Sequence, residues 1–192
     1  MSRGRLAGLV LFLCLLASSG SVVAFPGPTS CLLVGAMGLH QLPDGTLTDS
    51  SVPEDQLRFT QLAVDARARI ESKFGPVMAK PVLVFFSSSK GFLGPFRQIN
   101  SYGNTQFVGG RACVMIGPNG QNVDVVAHEM AHAELFLRVG WLARWLQIPT
   151  WFDEGVAMQV DYRSRYDLPA EKIPNAGDVR ALTTFSKFFS GN

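Results

Sequence analysis

His128-Glu129-Met130-Ala131-His132 sits inside an apolar stretch from Val123 to Val139, and its reading decides the fold. Val123, Val126, Ala127, Met130, Ala131, Leu135 and Leu137 leave almost no polar face, so the pattern predicts a buried helix over about 123–139. Asn122 or Asp124 can cap its start and Gly140 can end it. On a helix, residues four apart share a face, so His128 and His132 would direct their rings at one point. Two histidines and a glutamate inside a buried helix need partners. A divalent metal ion held by the two imidazoles supplies them, with Glu129 beside it, placed to take a proton from a water that the ion activates. The motif uses two of the three histidines in the chain.

A catalytic zinc commonly takes three protein ligands and keeps one position open. The remaining histidine, His40, is far upstream in a turn-rich segment and reads as a surface or turn residue. Glu154 is the better third ligand. It lies 22 residues beyond His132, within Trp151-Phe152-Asp153-Glu154-Gly155-Val156-Ala157, and a carboxylate in such apolar company calls for a binding role. Trp141 to Ile148 continues as an apolar helix or turn, Pro149 stops it, and a further helix is expected over about 151–162. That layout can fold Glu154 back against the metal. Asp153 or Asp124 could orient a ligand imidazole, but both are more simply acids at a helix N-terminus. Trp141, Trp145 and Trp151 read as core.

Upstream, Phe59, Leu62, Ala63, Ala66, Ile70 and Phe74 recur at helical spacing and predict a helix over 54–74, with Pro53 in its first turn and Gly75 at its end. Pro81 to Phe86 reads as a buried strand and residues 106–116 as another, with 91–105 loop-like between them. Cys31 to Val34 is a short apolar run read as a first strand, and 35–52 is turn-rich around Pro43-Asp44-Gly45. Leu182, Phe185, Phe188 and Phe189 suggest a short amphipathic helix in the tail. Helices and strands in this order describe one α+β domain over 25–192.

Residues 1–24 stand apart. Arg3 and Arg5 precede an apolar core from Leu6 to Ala17, and Val22-Val23-Ala24 offers small residues for cleavage. This reads as a secretory signal peptide cut after Ala24. The alternative is an uncleaved anchor, although about a dozen apolar residues fall short of the ~20 a spanning helix needs. The expected location is therefore periplasmic or secreted, or membrane-anchored through that segment. Of 17 Lys+Arg and 15 Asp+Glu, only Arg3 and Arg5 fall within 1–24, so the rest of the chain is neutral. A neutral domain without a basic patch has no electrostatic reason to bind nucleic acid or anionic lipid. Nothing in the sequence specifies an oligomer. Cys31 and Cys113 remain after Cys14 leaves with the leader, and read either as a disulfide or as two buried thiols.

His128-Glu129-Met130-Ala131-His132 followed by Pro149-Thr150-Trp151-Phe152-Asp153-Glu154-Gly155-Val156-Ala157 resembles the gluzincin zinc metallopeptidases. The nearest likeness is to their aminopeptidase N-like branch and to small exported proteins with a peptidase MA-like domain. The resemblance implies a zincin-like fold: a small mixed sheet, a backing helix, a buried metal helix, and a following helix carrying the third ligand. It assigns Zn2+ to His128, His132 and Glu154. Thermolysin-like enzymes carry an aspartate four residues after the glutamate ligand, where this chain has Met158, and no third histidine follows as in metzincins. The aminopeptidase motif G-x-M-E-N is absent, since 109–117 read Gly-Gly-Arg-Ala-Cys-Val-Met-Ile-Gly, so exopeptidase specificity does not carry over. The family's transition-state tyrosine would fall to Tyr166, or less simply to Tyr162.

The implied chemistry is hydrolysis of a peptide or protein substrate, with Glu129 as general base and the strand at 106–116 offering an edge to an extended substrate. The competing reading is a catalytically inactive zinc-containing domain that binds a partner protein through the same cleft. Glu129 favours the enzyme, because a purely structural site has no use for that base.

Overall fold

The computed structural model describes residues 26–88 and 102–163. The leader at 1–24, the tail helix and Tyr166 lie outside the described residues. So does most of the segment read as a loop at 91–105.

The order of elements is α1 (Pro26–Leu33), a 3-10 turn (Val34–Ala36), β1 (His40–Gln41), β2 (Leu47–Thr48), α2 (Pro53–Phe74), β3 (Val82–Phe85), β4 (Gly103–Val108), β5 (Arg111–Ile116), a 3-10 turn (Pro118–Gly120), α3 (Val123–Val139), α4 (Trp141–Gln147) and α5 (Thr150–Met158). The architecture is mixed α+β. Five strands form one mixed sheet in the order β1-β2-β3-β5-β4. β2, β3 and β5 run parallel, while β1 and β4 are antiparallel to their neighbours.

Alternation along β3 and β5 sorts the two faces. Leu83, Phe85, Ala112, Val114 and Ile116 join the main core with α2 and α3, while Val84, Phe86, Cys113 and Met115 form a second cluster with Cys31 and Val34. α2 forms because Phe59, Ala63, Ala66, Ile70 and Phe74 recur every three or four residues, and all five are buried. Pro53 opens it, Glu54 and Asp55 face its positive end, and Gly75 at φ 79° ends it. Phe59 stacks on Phe85, with ring centroids 4.7 Å apart.

Three segments differ from the sequence reading. Cys31 to Val34 is helical rather than a strand, running from α1 into the 3-10 turn. Ser30, Cys31 and Val34 are buried while Leu32 and Leu33 are exposed, which is a helical rhythm. A four-residue apolar run fits either structure, and Pro26 and Pro28 at the start favour the helix. Cys31 and Cys113 form a disulfide with Cα atoms 5.6 Å apart, which ties α1 to the second face of the sheet. α1 also packs across β4, where the end of the Gln106 side chain lies against Gly27.

The expected strand at 106–116 is a hairpin instead. Gly109 and Gly110, at φ 52° and 81°, make the turn that two left-handed residues favour. The first arm begins at Gly103, inside the stretch read as a loop, because β5 supplies it with a hydrogen-bonding partner along its length. Finally, the turn-rich segment at 35–52 holds the two short strands β1 and β2, and His40 is an exposed residue of β1.

Within α3, Glu134 is buried to 1% exposure among apolar neighbours. Its carboxylate accepts the N–H of Met78 at 3.1 Å, the N–H of Ala79 at 2.7 Å and Arg138 Nε at 2.6 Å. The charge is therefore satisfied, and it ties the α2–β3 connection to α3.

Candidate metal centre

α3 is capped by Asn122, whose side chain accepts the Val125 N–H at 3.0 Å, and ends at Gly140 at φ 80°. The helix fixes His128 and His132 one turn apart on a single face. Their Nε2 atoms lie 3.3 Å apart, and the rings are turned 80° to one another. α5 packs along α3 and carries Glu154 to the same point. Glu154 Oε2 lies 3.4 Å from His128 Nε2, and Oε1 lies 3.8 Å from His132 Nε2. One donor atom from each of the three residues lies within 4.8 Å of the others, so the group could hold a metal ion. Gly155 and Ala157 are buried, so small residues let α5 approach closely, while Glu154 itself stays half exposed at the mouth of a cleft.

The far side of each imidazole meets an aspartate. His132 Nδ1 lies 2.7 Å from Asp153 Oδ1, and Arg144 Nη2 donates to the other oxygen of that carboxylate. His128 Nδ1 lies 3.2 Å from Asp161 Oδ2, and Arg163 pairs with Asp161 in turn. Of the two aspartates considered as imidazole partners, Asp153 takes that position. Asp124 bonds Arg69 at 2.5 Å instead, across the α2–α3 interface. The expected helix over 151–162 ends at Met158, and this early stop lets the chain turn Asp161 back beneath His128.

Glu129 lines the same cleft of about 340 Å³, with His128, His132 and Glu154. Thr105 Oγ1 lies 2.8 Å from both Glu129 Oε2 and the Glu129 carbonyl, so its one proton serves either in turn. Gly103, also on β4, faces Glu129 so closely that a Cβ there would come 2.9 Å from its Cγ. β4 is thus the outer strand that walls the cleft opposite α3.

Charge in the site follows from these contacts. Burial works against a charged His128, but hydrogen bonds to Asp161 and Glu154 and the charges of Glu129 and Glu154 outweigh it and raise its pKa to about 9. The hydrogen bond from His128 lowers the Glu154 pKa against the effect of its own burial, aided by the charges of His132, His128 and Arg144. Burial pushes Asp161 up, but its bonds to Arg163 and His128 hold it well below the usual carboxylate range. Carboxylates therefore converge on one pair of imidazoles, and a proton or a cation answers the same field.

The structure brings together the three expected ligands and sets Glu129 beside them. Tyr162 does not reach the cleft; its ring lies 4.5 Å from the Arg69 guanidinium. Trp151 is 55% exposed rather than core. Sequence reasoning missed Asp161, Thr105 and Arg144. No protein-family model, no curated protein and no solved structure matches the chain.

Proposed function

We propose that the chain is an exported zinc-dependent peptidase of the gluzincin type, with a zincin-like arrangement of helix and sheet around the centre. The observation that carries the reading is the placement of Glu129 in the same cleft as His128, His132 and Glu154, braced by Thr105. A tetrahedral ion bonded at ~2.0–2.1 Å sets its ligands roughly 3.3–3.4 Å apart. The 3.3 Å between the two Nε2 atoms and the 3.4 Å from His128 Nε2 to Glu154 Oε2 match that spacing, and one donor atom from each of the three residues lies within 4.8 Å of the others. Two nitrogens and one carboxylate oxygen also suit zinc better than magnesium or calcium, which prefer all-oxygen shells.

Bound at this site, a zinc ion supplies Lewis acidity that polarises a scissile carbonyl and lowers the pKa of water toward neutrality. The rest of the work falls to the chain. Asp153 and Asp161 would orient the two imidazoles so that both Nε2 lone pairs face the point where they converge with Glu154. Glu129 takes the proton of the attacking water and passes it to the leaving amine. Thr105 holds the carboxylate in place for both transfers. β4 offers an extended peptide an edge to pair with along the cleft wall. The Cys31–Cys113 disulfide supports export, because such bonds persist mainly in oxidising compartments.

The test is a zinc assay on purified wild type and Glu129→Gln, together with a peptide-library digest. Close to one zinc per chain in both proteins, with cleavage only by wild type, is the expected result. Metal-free native protein would overturn the reading. Wild type that holds zinc yet cleaves nothing would favour the partner-binding module instead.

A further inference from the structure

α4 lies between the two ligand-bearing helices and contributes Arg144 to the cleft. Arg144 Nη2 donates to Asp153 Oδ2, while Asp153 Oδ1 meets His132 Nδ1 at 2.7 Å. The same guanidinium lies over the Phe107 ring, 4.3 Å from its centroid. Phe107 belongs to β4, on the other wall of the cleft. One planar cation thus touches both the carboxylate behind a metal ligand and an aromatic side chain across the cleft.

We propose that Arg144 is a positioning residue of the metal centre: anchored on Phe107, it fixes Asp153 against His132 and so sets how tightly His128, His132 and Glu154 grip a divalent cation. The inference rests on the metal-centre reading above.

The physical reason lies in the freedom of the parts. An imidazole can carry its proton on either nitrogen, and a carboxylate partner at Nδ1 selects the form whose Nε2 lone pair is available. Asp153 can do this only if its own carboxylate is held still. A guanidinium bonded to its second oxygen removes that rotation, and stacking on Phe107 fixes the guanidinium in turn. Lysine offers a point charge without the flat face or the fork, so it cannot reproduce both contacts.

A purely electrostatic role makes the opposite forecast. A positive charge close to the site repels a dication, so deleting it would tighten metal binding. A positioning role requires that deletion loosen it. The sign of the change decides between them.

The experiment measures zinc dissociation constants by chelator competition on the full chain, for wild type, Arg144→Gln, Arg144→Lys, Asp153→Asn and the Arg144→Gln/Asp153→Asn double variant. Cobalt(II) absorption spectra are recorded on the same proteins. Arg144→Gln is expected to weaken zinc roughly 10–100-fold and to alter the cobalt bands, with Arg144→Lys recovering only part of the loss. The double variant should bind no worse than Asp153→Asn alone. Unchanged or tighter zinc binding by Arg144→Gln, or full additivity in the double variant, overturns the proposal. Should Arg144→Gln fail to fold, Phe107→Leu removes the anchor and keeps the ion pair. A several-fold loss of zinc affinity is then expected, and wild-type affinity refutes the proposal. Wild type that binds no divalent cation would sink the metal-centre reading itself. Wild type that binds zinc without cleaving peptides would count against the peptidase alone, and the affinities of the variants would still decide the role of Arg144.

Discussion

Asp161 holds His128 Nδ1 at 3.2 Å from a position where its own side chain is wholly closed to solvent. A buried carboxylate is costly unless it is paired, and this one is paired with His128 on one side and Arg163 on the other. The pairing points the His128 Nε2 toward Glu154 and His132. Asp161→Asn keeps the size of the side chain but presents either an amide N–H or a weaker acceptor to the imidazole. Zinc affinity should fall about 10–100-fold, as is usual when the partner of a ligand histidine is lost. Chelator competition measures it, and an affinity within about twofold of wild type would remove Asp161 from the centre.

Gly103 sets the β4 backbone directly against Glu129. A Cβ there would come 2.9 Å from Glu129 Cγ and 3.1 Å from Val125 Cγ1, and Cγ cannot swing clear without moving the carboxylate. Gly103→Ala should therefore leave zinc in place and displace the proposed base. A shift on the order of 1 Å can cost about 100-fold in rate. Steady-state hydrolysis of a cleaved peptide, read beside zinc content, tests this. Full activity in the variant would show that the carboxylate tolerates the shift or does not act as base.

The metal-free protein should respond to pH through His128, whose pKa rises from 6.5 to about 9 on folding. A raised folded pKa means the folded state holds its proton more tightly than the unfolded chain. That stabilisation is fully present below about 6.5, declines as pH rises, and is gone above about 9. Its size is on the order of 3 kcal/mol at low pH. A metal ion must expel the same proton, so apparent zinc affinity should climb about tenfold per pH unit across that window and level off above it. Urea unfolding of the metal-free protein and chelator competition, each run from about pH 6 to about pH 9.5, read the two trends. Stability of the metal-free form that rises across this range would contradict the charge assignment.

What the sequence disclosed followed from local rhythm. α2 was legible because Phe59, Ala63, Ala66, Ile70 and Phe74 mark one stripe, and α3 because apolar residues surround two histidines four apart. Glu154 was legible because a carboxylate between Phe152 and Val156 is out of place on an apolar helix. Asp161 was not, since it follows the end of α5 in a segment with no periodicity, and only the chain's return toward α3 gives it a partner. Thr105 was hidden for a related reason. Gly103 and Asn104 are turn formers by local preference, and pairing with β5 overrides that preference to make a strand. Arg144 lies on a short helix, and only the fold brings its guanidinium against Asp153 and Phe107. The three candidate ligands, Glu129 and Asp153 could be named from local pattern, while Asp161, Thr105 and Arg144 became visible only once the chain was folded.

Glu134 shows the same division on the structural side, and its role is open to a stability measurement. It sits beyond Glu129 on α3, yet its carboxylate turns away from the cleft to the Met78 and Ala79 N–H groups and Arg138. Arg138 Nη2 in turn donates to the Pro76 carbonyl at 2.8 Å, so the α2–β3 connection is gripped twice. Glu134→Ala leaves two backbone donors and a largely buried guanidinium without their acceptor. The expected cost is about 3–5 kcal/mol, the range for breaking a buried charge pair from one side. Glu134→Gln keeps one acceptor oxygen and should cost less, about 1–3 kcal/mol. Urea denaturation of the zinc-loaded protein gives both values. Because Glu134 touches none of the three candidate ligands, per-chain zinc content of the folded fraction should stay at the wild-type level in Glu134→Gln. A Glu134→Ala variant as stable as wild type would mean that water replaces the carboxylate at little cost, and the clamp between α3 and the α2–β3 connection would lose its energetic meaning.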